Sequence, residues 1–141
     1  MTVDESISRR VAESFAKQGL MAALGAQLVR IGHGEVSIQL PIDPRVTQQH
    51  GYFHAGATSA IADSAGGYAA LTLMSDGSEV LTVEYKINLI APAVGDMLEA
   101  VGTVLKSGRT LTICRLDVFA HTGNDRKLVA AGQQTLIRID A

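Results

Sequence analysis

Residues 55–74 constrain the fold more than any other stretch of this chain, because their twenty positions contain a single charged side chain, Asp63. Such length and apolarity are typical of a membrane span, but the residues here are mostly Ala, Gly, Ser and Thr. A carboxylate at the centre of a bilayer helix also costs about 3 kcal/mol. We therefore predict a helix that is buried inside a water-soluble protein, with no membrane as partner.

The side chains of this predicted helix are unevenly distributed around its axis. One face carries almost no side-chain bulk and has Asp63 in its middle. The small-residue face comprises Gly56, Ser59, Ala60, Asp63, Gly66, Gly67 and Ala70, and another face comprises Ala57, Ile61, Tyr68 and Leu71. Two glycines inside a helix each cost about 1 kcal/mol relative to alanine, so we expect a backbone, a helix or a ligand to approach closely there. A carboxylate on that face needs partners, and it has two open interpretations, a hydrogen bond to a neighbouring loop or a catalytic role.

Composition limits the classes of function. The chain has 141 residues, of which 47% are hydrophobic, and this suffices for one domain with a substantial core. The formal net charge of -2 argues against nucleic acid as a partner. The single cysteine, Cys114, has no intramolecular disulfide partner and is interpreted as a packed small hydrophobe. Asp4 and Glu5 stand where a signal peptide would carry basic residues, so we expect a cytoplasmic location.

The N-terminal segment predicts an amphipathic helix over residues 3–18. Thr2 and Glu5 have the spacing of a capping box, and apolar residues then recur at every fourth position. These apolar residues are Val3, Ile7, Val11 and Phe15. We expect Gly19 to end the helix.

A period of two replaces the helical period from Ala26 onward and again after the central helix. Strands are predicted at residues 27–31, 36–42, 83–89, 97–105, 111–120 and 128–139, separated by turns rich in Gly, Asp, Asn and Pro. The predicted fold class is therefore α+β, a curled antiparallel sheet of about six strands wrapped around one long central helix, with an extra N-terminal helix. One such sheet cannot cover a helix that is apolar on every side, so we expect at least a dimer.

Two segments of the chain carry a resemblance to a known family. His54-Ala55-Gly56, followed nine residues after the histidine by Asp63 within Ala62-Asp63-Ser64-Ala65, resembles the signature of hot-dog-fold acyl-CoA thioesterases of the phenylacetyl-CoA (PaaI-like) group. Residues 82–87 and Pro92 are similar to a later strand motif of the same family. The likeness implies a single hot-dog domain over residues 1–141, with its core at 26–139 and the N-terminal helix within 1–19.

The resemblance also implies roles for particular residues. The backbone N–H groups of Ala55 and Gly56 match those that hold the thioester carbonyl oxygen, a position where a helix dipole favours a developing oxyanion. Asp63 matches the catalytic acid, supplied by the opposing subunit as general base or nucleophile. Gln48 stands where the family commonly has Asn and would orient water or the carbonyl, and Thr82 matches a hydroxyl residue near the acid.

Several positions keep alternatives open. Gln48 is one methylene longer than Asn, so Gln49 or His50 is an alternative for its role. Ala55 replaces a glycine, which keeps the N–H but restricts the backbone. His54 is a candidate general base, or else a residue that fixes the loop before the helix by hydrogen bonding. Tyr52 and Phe53 are expected to line the acyl pocket, together with Tyr68 and Leu71.

The expected substrate is an acyl-CoA, with no metal and no cofactor beyond the CoA that belongs to it. The phosphates of CoA are candidates for pairing with basic residues of the hairpin turns, namely Lys106, Arg109, Arg126 and Lys127. The resemblance implies a tetramer made of two hot-dog dimers. Alternative functions are a non-catalytic acyl-CoA-binding or assembly module and a hot-dog hydratase or dehydratase. The sequence does not identify the acyl group.

Overall fold

The computed structural model describes residues 3–140. Two short helices come first, α1 (Glu5–Ala16) and α2 (Gly19–Leu24), followed by the hairpin of β1 (Gln27–Gly32) and β2 (Glu35–Pro41). A 3₁₀ turn (Pro44–Val46) precedes the long helix α3 (Ala55–Leu71). Four strands complete the chain: β3 (Ser78–Leu89), β4 (Met97–Ser107), β5 (Leu111–Thr122) and β6 (Asp125–Asp140).

The six strands form one antiparallel sheet in the order β1-β2-β4-β5-β6-β3. α3 packs across one face of this sheet and contacts β2 to β6. The core between them consists of alternate strand residues and the helix residues that face them, including Ile38, Leu40, Ile61, Ala65, Ala69, Leu98, Leu116 and Val118. The predicted α+β architecture is confirmed, as is the order of helix, two strands, long helix and four strands.

Two glycines let α3 lie directly on the sheet. A Cβ added at Gly102 of β4 would collide with the backbone of Ala65 and Gly66, so the helix and strand backbones touch at this point. The space that a Cβ on Gly66 would occupy is taken by the side chains of Gln134 and Leu116. The helix-breaking cost of Gly66 is therefore explained by the close approach that was expected at this helix.

The N-terminal helix differs from its prediction. Asp4 is the N-cap, since its Oδ1 accepts the backbone N–H of Ser6 at 2.8 Å, whereas Thr2 of the expected capping box lies outside the described residues. Gly19 does not end the helical region, because α1 stops at Ala16 and Gly19 begins α2. Gln18, in an extended conformation, separates the two helices, and Gly25, with φ at 81°, ends α2.

The central helix is shorter than residues 55–74. The Thr72 hydroxyl stops it after Leu71 by donating to the carbonyl of Ala69 at 2.7 Å and accepting the N–H of Gly34 at 2.8 Å. Arg10 of α1 then donates to three carbonyls at and just after the end of α3, those of Leu71, Met74 and Ser75. A cation at this position complements the helix dipole.

The small-residue face of α3 is only partly as predicted. Gly66 and Ala70 are buried, because α3 is turned so that both pack against neighbouring elements. The remaining members, together with Ser64, stay half-exposed or exposed in the single chain: Gly56, Ser59, Ala60, Asp63, Ser64 and Gly67. We call these six residues the open face of α3.

Strand β3 forms an edge of the sheet and carries exposed apolar residues. A bulge between Thr82 and Glu84 places Val83 outside the ladder. Strand alternation puts Tyr85 and Leu89 on the face opposite to Glu84. The exposed fractions are 56% for Leu81, 53% for Val83, 47% for Tyr85 and 55% for Leu89. A strand with this much exposed apolar surface and one unpaired edge is available for contact with another chain.

Candidate active site

The loop before α3 is closed on itself by Gln48. Its side-chain Oε1 accepts the backbone N–H groups of His50 at 2.5 Å and of Tyr52 at 3.2 Å, and its own N–H donates to the Tyr52 carbonyl. Gly51, with φ at 82°, makes the reversal possible. Gln48 thus shapes the loop through its oxygen, and its Nε2 is the group left to face a ligand.

His54 caps α3 with its side chain. The ring Nδ1 accepts the backbone N–H of Gly56 at 2.7 Å, so the neutral ring carries its proton on Nε2. Of the two N–H groups expected to bind a carbonyl oxygen, that of Gly56 is therefore already engaged. The N–H of Ala55 has no acceptor within residues 3–140. This hydrogen bond is of the kind that the loop-fixing interpretation of His54 expects, and its role as a general base stays a prediction.

A cavity of about 530 Å³ opens beside this helix start. Its walls come from the loop, the first turn of α3 and the segment after β3, and include Gln48, Gln49, Tyr52, Phe53, His54, Ala55, Thr58, Leu89, Pro92 and Val129. Tyr52 and Phe53, which were expected to line the acyl pocket, both line this cavity. Tyr68 and Leu71 line a different cavity, described below, and the exposed His50 contacts the loop through its backbone N–H.

Asp63 lies two turns further along α3, on the open face. Its Oδ1 accepts the Thr82 hydroxyl at 2.7 Å and the Gln134 amide Nε2 at 2.6 Å. Among the described residues, none donates to its Oδ2. The placement of Thr82 beside the acid, which the family resemblance implied, agrees with this geometry.

Gln134 is a residue that the sequence reasoning missed. It lies on β6 and is 1% exposed, and its Nε2 also contacts the Asp63 carbonyl at 3.0 Å and the Thr82 hydroxyl at 3.2 Å. Its Oε1 is buried with no hydrogen-bond partner among the described residues, which costs about 1–3 kcal/mol. The available signal was a long polar side chain at an inward-facing position of a strand, between Gly132 and Leu136.

A second, smaller cavity of about 240 Å³ contains Asp63. Its wall includes α1, whose Ser14 hydroxyl lies 3.0 Å from the Tyr68 hydroxyl. Gln18 donates to the same Tyr68 oxygen at 2.8 Å and accepts the hydroxyl of Ser64 at 3.3 Å. The N-terminal helical segment therefore shapes the surroundings of the acid.

Within one subunit the start of α3 and Asp63 do not lie beside each other. Eight residues separate Ala55 from Asp63, which corresponds to about 12 Å along a helix. The helix start and the acid also line different cavities. One subunit therefore does not place the carboxylate beside a carbonyl oxygen bound at its own helix start.

The four basic candidates lie at opposite ends of β5. Lys106 and Arg109 adjoin the β4–β5 turn, whereas Arg126 and Lys127 begin β6. β5 has 12 residues and spans about 35 Å between these turns. Arg126 and Lys127 share the end of the sheet where α3 begins. Arg126 is engaged there with Glu99, at 3.3 Å from Nε to Oε1, and with the ring of Phe119.

Cys114 is a packed core residue, as predicted. It is fully buried on β5, and burial raises the pKa of its thiol from 9.0 to about 12. The thiol is therefore not ionised near neutral pH, and a nucleophilic role is excluded on physical grounds. Within residues 3–140 there is no group of three or more His, Cys, Asp or Glu side chains arranged to hold a metal ion.

Residues 50–127, more than half of the chain, match the family model described as the thioesterase superfamily. The chain belongs to the thioesterase superfamily. Membership supports hydrolase activity on a thioester. In the part of the chain that the structure describes, no helix is long and apolar enough to cross a membrane.

Solved structures agree with this membership. A thioesterase family protein from Silicibacter pomeroyi is 39% identical, with a TM-score of 0.93, and the match covers 96% of this chain and 99% of that one. The PaaI protein from the phenylacetic acid degradation operon of E. coli is 18% identical, with a TM-score of 0.87 and coverage of 99% and 98%. A thioesterase from Haemophilus influenzae is 22% identical, with a TM-score of 0.83 and coverage of 92% and 88%. The last two show the fold alone, and together the three confirm the predicted hot-dog architecture.

Proposed function

We propose that this protein hydrolyses an acyl-CoA thioester to a free acid and CoA, and that Asp63 of one subunit acts on a thioester held at the α3 start of another. The observation that carries the proposal is the state of Asp63, whose Oδ1 accepts from two donors while Oδ2, on the open face, has no donor among residues 3–140. In a carboxylate held in this way, the donors to one oxygen fix the orientation of the group, and the other oxygen is available to react. In a thioesterase-superfamily chain, the chemistry that this oxygen serves is attack on a thioester.

Two routes use the free oxygen. As a general base, Oδ2 takes a proton from water, whose oxygen attacks the thioester carbon, and the tetrahedral intermediate then expels the CoA thiolate, which takes that proton. As a nucleophile, Oδ2 attacks the thioester carbon and the C–S bond breaks to release the CoA thiolate. Water then attacks the resulting mixed anhydride, which releases the free acid and restores the Asp63 carboxylate, and the proton lost by the water goes to the thiolate. In both routes Thr82 keeps the carboxylate oriented through Oδ1.

The carbonyl oxygen of the substrate is assigned to the start of α3. The Ala55 N–H has no acceptor in the described part of the chain, and the positive end of the helix dipole favours the charge that develops on this oxygen. The Gly56 N–H joins it only when the His54 ring turns away or takes a proton on Nδ1, because a protonated nitrogen no longer accepts. The amide Nε2 of Gln48 adds a donor at the wall of the same cavity.

A second subunit is required by the spacing of about 12 Å between Ala55 and Asp63 on one helix. The open face of α3 and the exposed apolar residues of β3 are the surfaces that a second copy would cover. An isologous dimer would bring each α3 start toward the Asp63 of the other chain, which gives two sites per dimer. A tetramer of two such dimers is proposed on the family resemblance.

The test is Asp63→Asn, which keeps size but removes the negative charge. Hydrolysis of acyl-CoA, followed by release of free thiol, should fall by at least about a hundredfold while acyl-CoA still binds. Asp125→Asn, at the exposed first residue of β6, is the matched control. Unchanged hydrolysis in the Asp63 variant would remove it from the mechanism. If wild-type protein binds acyl-CoA without hydrolysing any member of a substrate panel, the non-catalytic binding module becomes the function.

A further inference from the structure

We propose that Gln134 is a positioning residue of this site, which fixes the Asp63 carboxylate so that Oδ2 alone is presented to the thioester. The inference rests on the role assigned to Asp63 under the proposed function. It concerns a residue on β6 that is distant in sequence from the two motifs that carry the family resemblance. Its support is the pattern of contacts around one buried amide.

The amide of Gln134 contacts Asp63 at two points. Nε2 lies 2.6 Å from Oδ1 of the side chain and 3.0 Å from the main-chain oxygen of the same residue. An amide nitrogen carries two hydrogens, so one can serve each oxygen. Because these two acceptors lie on either side of the Cα–Cβ bond of Asp63, the double contact limits rotation about that bond.

Thr82 and Gln134 act on the same oxygen of the carboxylate. The Thr82 hydroxyl donates to Oδ1 at 2.7 Å, and Gln134 Nε2 lies 3.2 Å from that hydroxyl oxygen. Among the described residues, every donor to the Asp63 carboxylate therefore converges on Oδ1. The carboxylate is held through Oδ1, and Oδ2 is left to contact the substrate.

The orientation of the amide is fixed by its other end. A Cβ on Gly66 would overlap Oε1 of Gln134, so the glycine makes room for this atom. Oε1 has no hydrogen-bond partner among the described residues, and Leu116 closes the same space. Rotating the amide by 180° would exchange Oε1 with Nε2 and place Oε1 against two acceptor oxygens of Asp63. The repulsion between these oxygens would be less favourable than one acceptor without a partner. The fold thus leaves an acceptor without a partner in order to keep the Nε2 donor at the acid.

The first test compares Gln134→Met with Gln133→Met. Methionine has nearly the length of glutamine but no donor, and Gln133 is exposed on the opposite face of the same strand. For the Gln134 variant we expect kcat to fall about tenfold to a hundredfold with KM nearly unchanged, since only the placement of the acid is lost. The control should keep the wild-type kcat and KM.

Gln134→Glu keeps the shape and tests the donor directly. When protonated, the new carboxyl group can donate to Oδ1, and when ionised it repels Asp63. Activity should therefore be partly retained on the acidic side and lost as pH rises, unlike wild type. This variant carries the test if Gln134→Met does not give a stable oligomer, and wild-type behaviour of either variant would overturn the inference.

The double variant Asp63→Asn/Gln134→Met separates the inference from the proposed function. If Gln134 acts through Asp63, removing both should cost no more than removing Asp63 alone. A further loss of turnover in the double variant overturns the positioning role. An active Asp63→Asn variant would defeat the proposed function itself, whereas an inactive Asp63→Asn variant beside a wild-type Gln134→Met variant would defeat only this inference.

Discussion

The start of α3 and the surroundings of Asp63 belong to one helix, yet they are held in different ways. Asp63 is fixed by side chains from two strands, Thr82 on β3 and Gln134 on β6. The helix start is held by its own loop, through Gln48 and the His54 cap. The acid is thus positioned by the sheet, while the groups assigned to bind the carbonyl depend on local hydrogen bonds that a substrate can replace.

This difference fits the separate tasks that we propose for the two regions. A group that makes or breaks bonds benefits from rigid support, because misplacement is costly in rate. A group that binds and releases substrate benefits from a cap that can exchange, and His54 Nδ1 at the Gly56 N–H is such a cap. Each of the following variants alters one region and leaves the other intact.

The largest effect is expected for Ala55→Pro. Proline removes the open N–H, and it is well tolerated at the first position of a helix. His54 has φ −66° and ψ 140°, a conformation that a following proline also allows. Turnover should fall about 10²- to 10³-fold, the usual loss for an oxyanion donor, with folding intact by thermal denaturation.

Ala55→Gly, which keeps the N–H, is the matched control and should stay close to wild type. Wild-type turnover in the proline variant would show that the carbonyl oxygen is bound elsewhere. The helix start would then have no part in binding the thioester, and the proposed division of tasks between the two regions would not hold.

A smaller effect, this time on stability, is expected for the two adjacent glycines of α3. At Gly66 an alanine Cβ would collide with Gln134 and Leu116, so Gly66→Ala should lower the free energy of unfolding by at least about 2 kcal/mol. At Gly67 the nearest atoms lie at ordinary distances, 3.7 Å for Leu136 and 3.9 Å for Val80. Gly67→Ala should therefore be neutral or stabilising by up to about 1 kcal/mol. Chemical denaturation measures both, and equal effects would refute the packing assigned to Gly66.

The smallest effect is expected for Gln48→Ala. Its loss leaves the N–H groups of His50 and Tyr52 without their acceptor and loosens the loop, so turnover should fall about tenfold, much less than for Asp63→Asn. Gln49→Ala, at the wall of the same cavity, is the control. A loss equal to that of Asp63→Asn would assign Gln48 to the chemistry itself.

The sequence predicted the framework of the fold because its signals are local. Strand alternation, turn residues and the uncharged run around Asp63 each depend on near neighbours in the chain, and all six strands were found. The break between α1 and α2 was missed, because Gly19 can end one helix or begin the next. The bulge at Val83 was missed as well, since pairing with β6 determines it.

The site was less predictable than the fold. The motif resemblance pointed to Asp63, Thr82 and the helix start, whose roles stay predictions. It gave no indication of Gln134, which reaches Asp63 from 71 positions further along the chain. The acceptor on the Gly56 N–H was also unforeseen, because the rotamer of His54 determines it. The roles of the four basic residues stay predictions, and the structure separates them into two pairs.

The central claim, that the acid and the helix start of one site come from different subunits, is tested most directly by mixing Ala55→Pro and Asp63→Asn chains. The two inactive variants are unfolded together, refolded and assayed for thioester hydrolysis, with each variant refolded alone as control. A mixed dimer has one site with both regions intact, so random assortment should restore about a quarter of wild-type activity. Mixtures that stay as inactive as the separate variants, despite proven exchange of subunits, would contradict the claim and place both regions of a site in one chain.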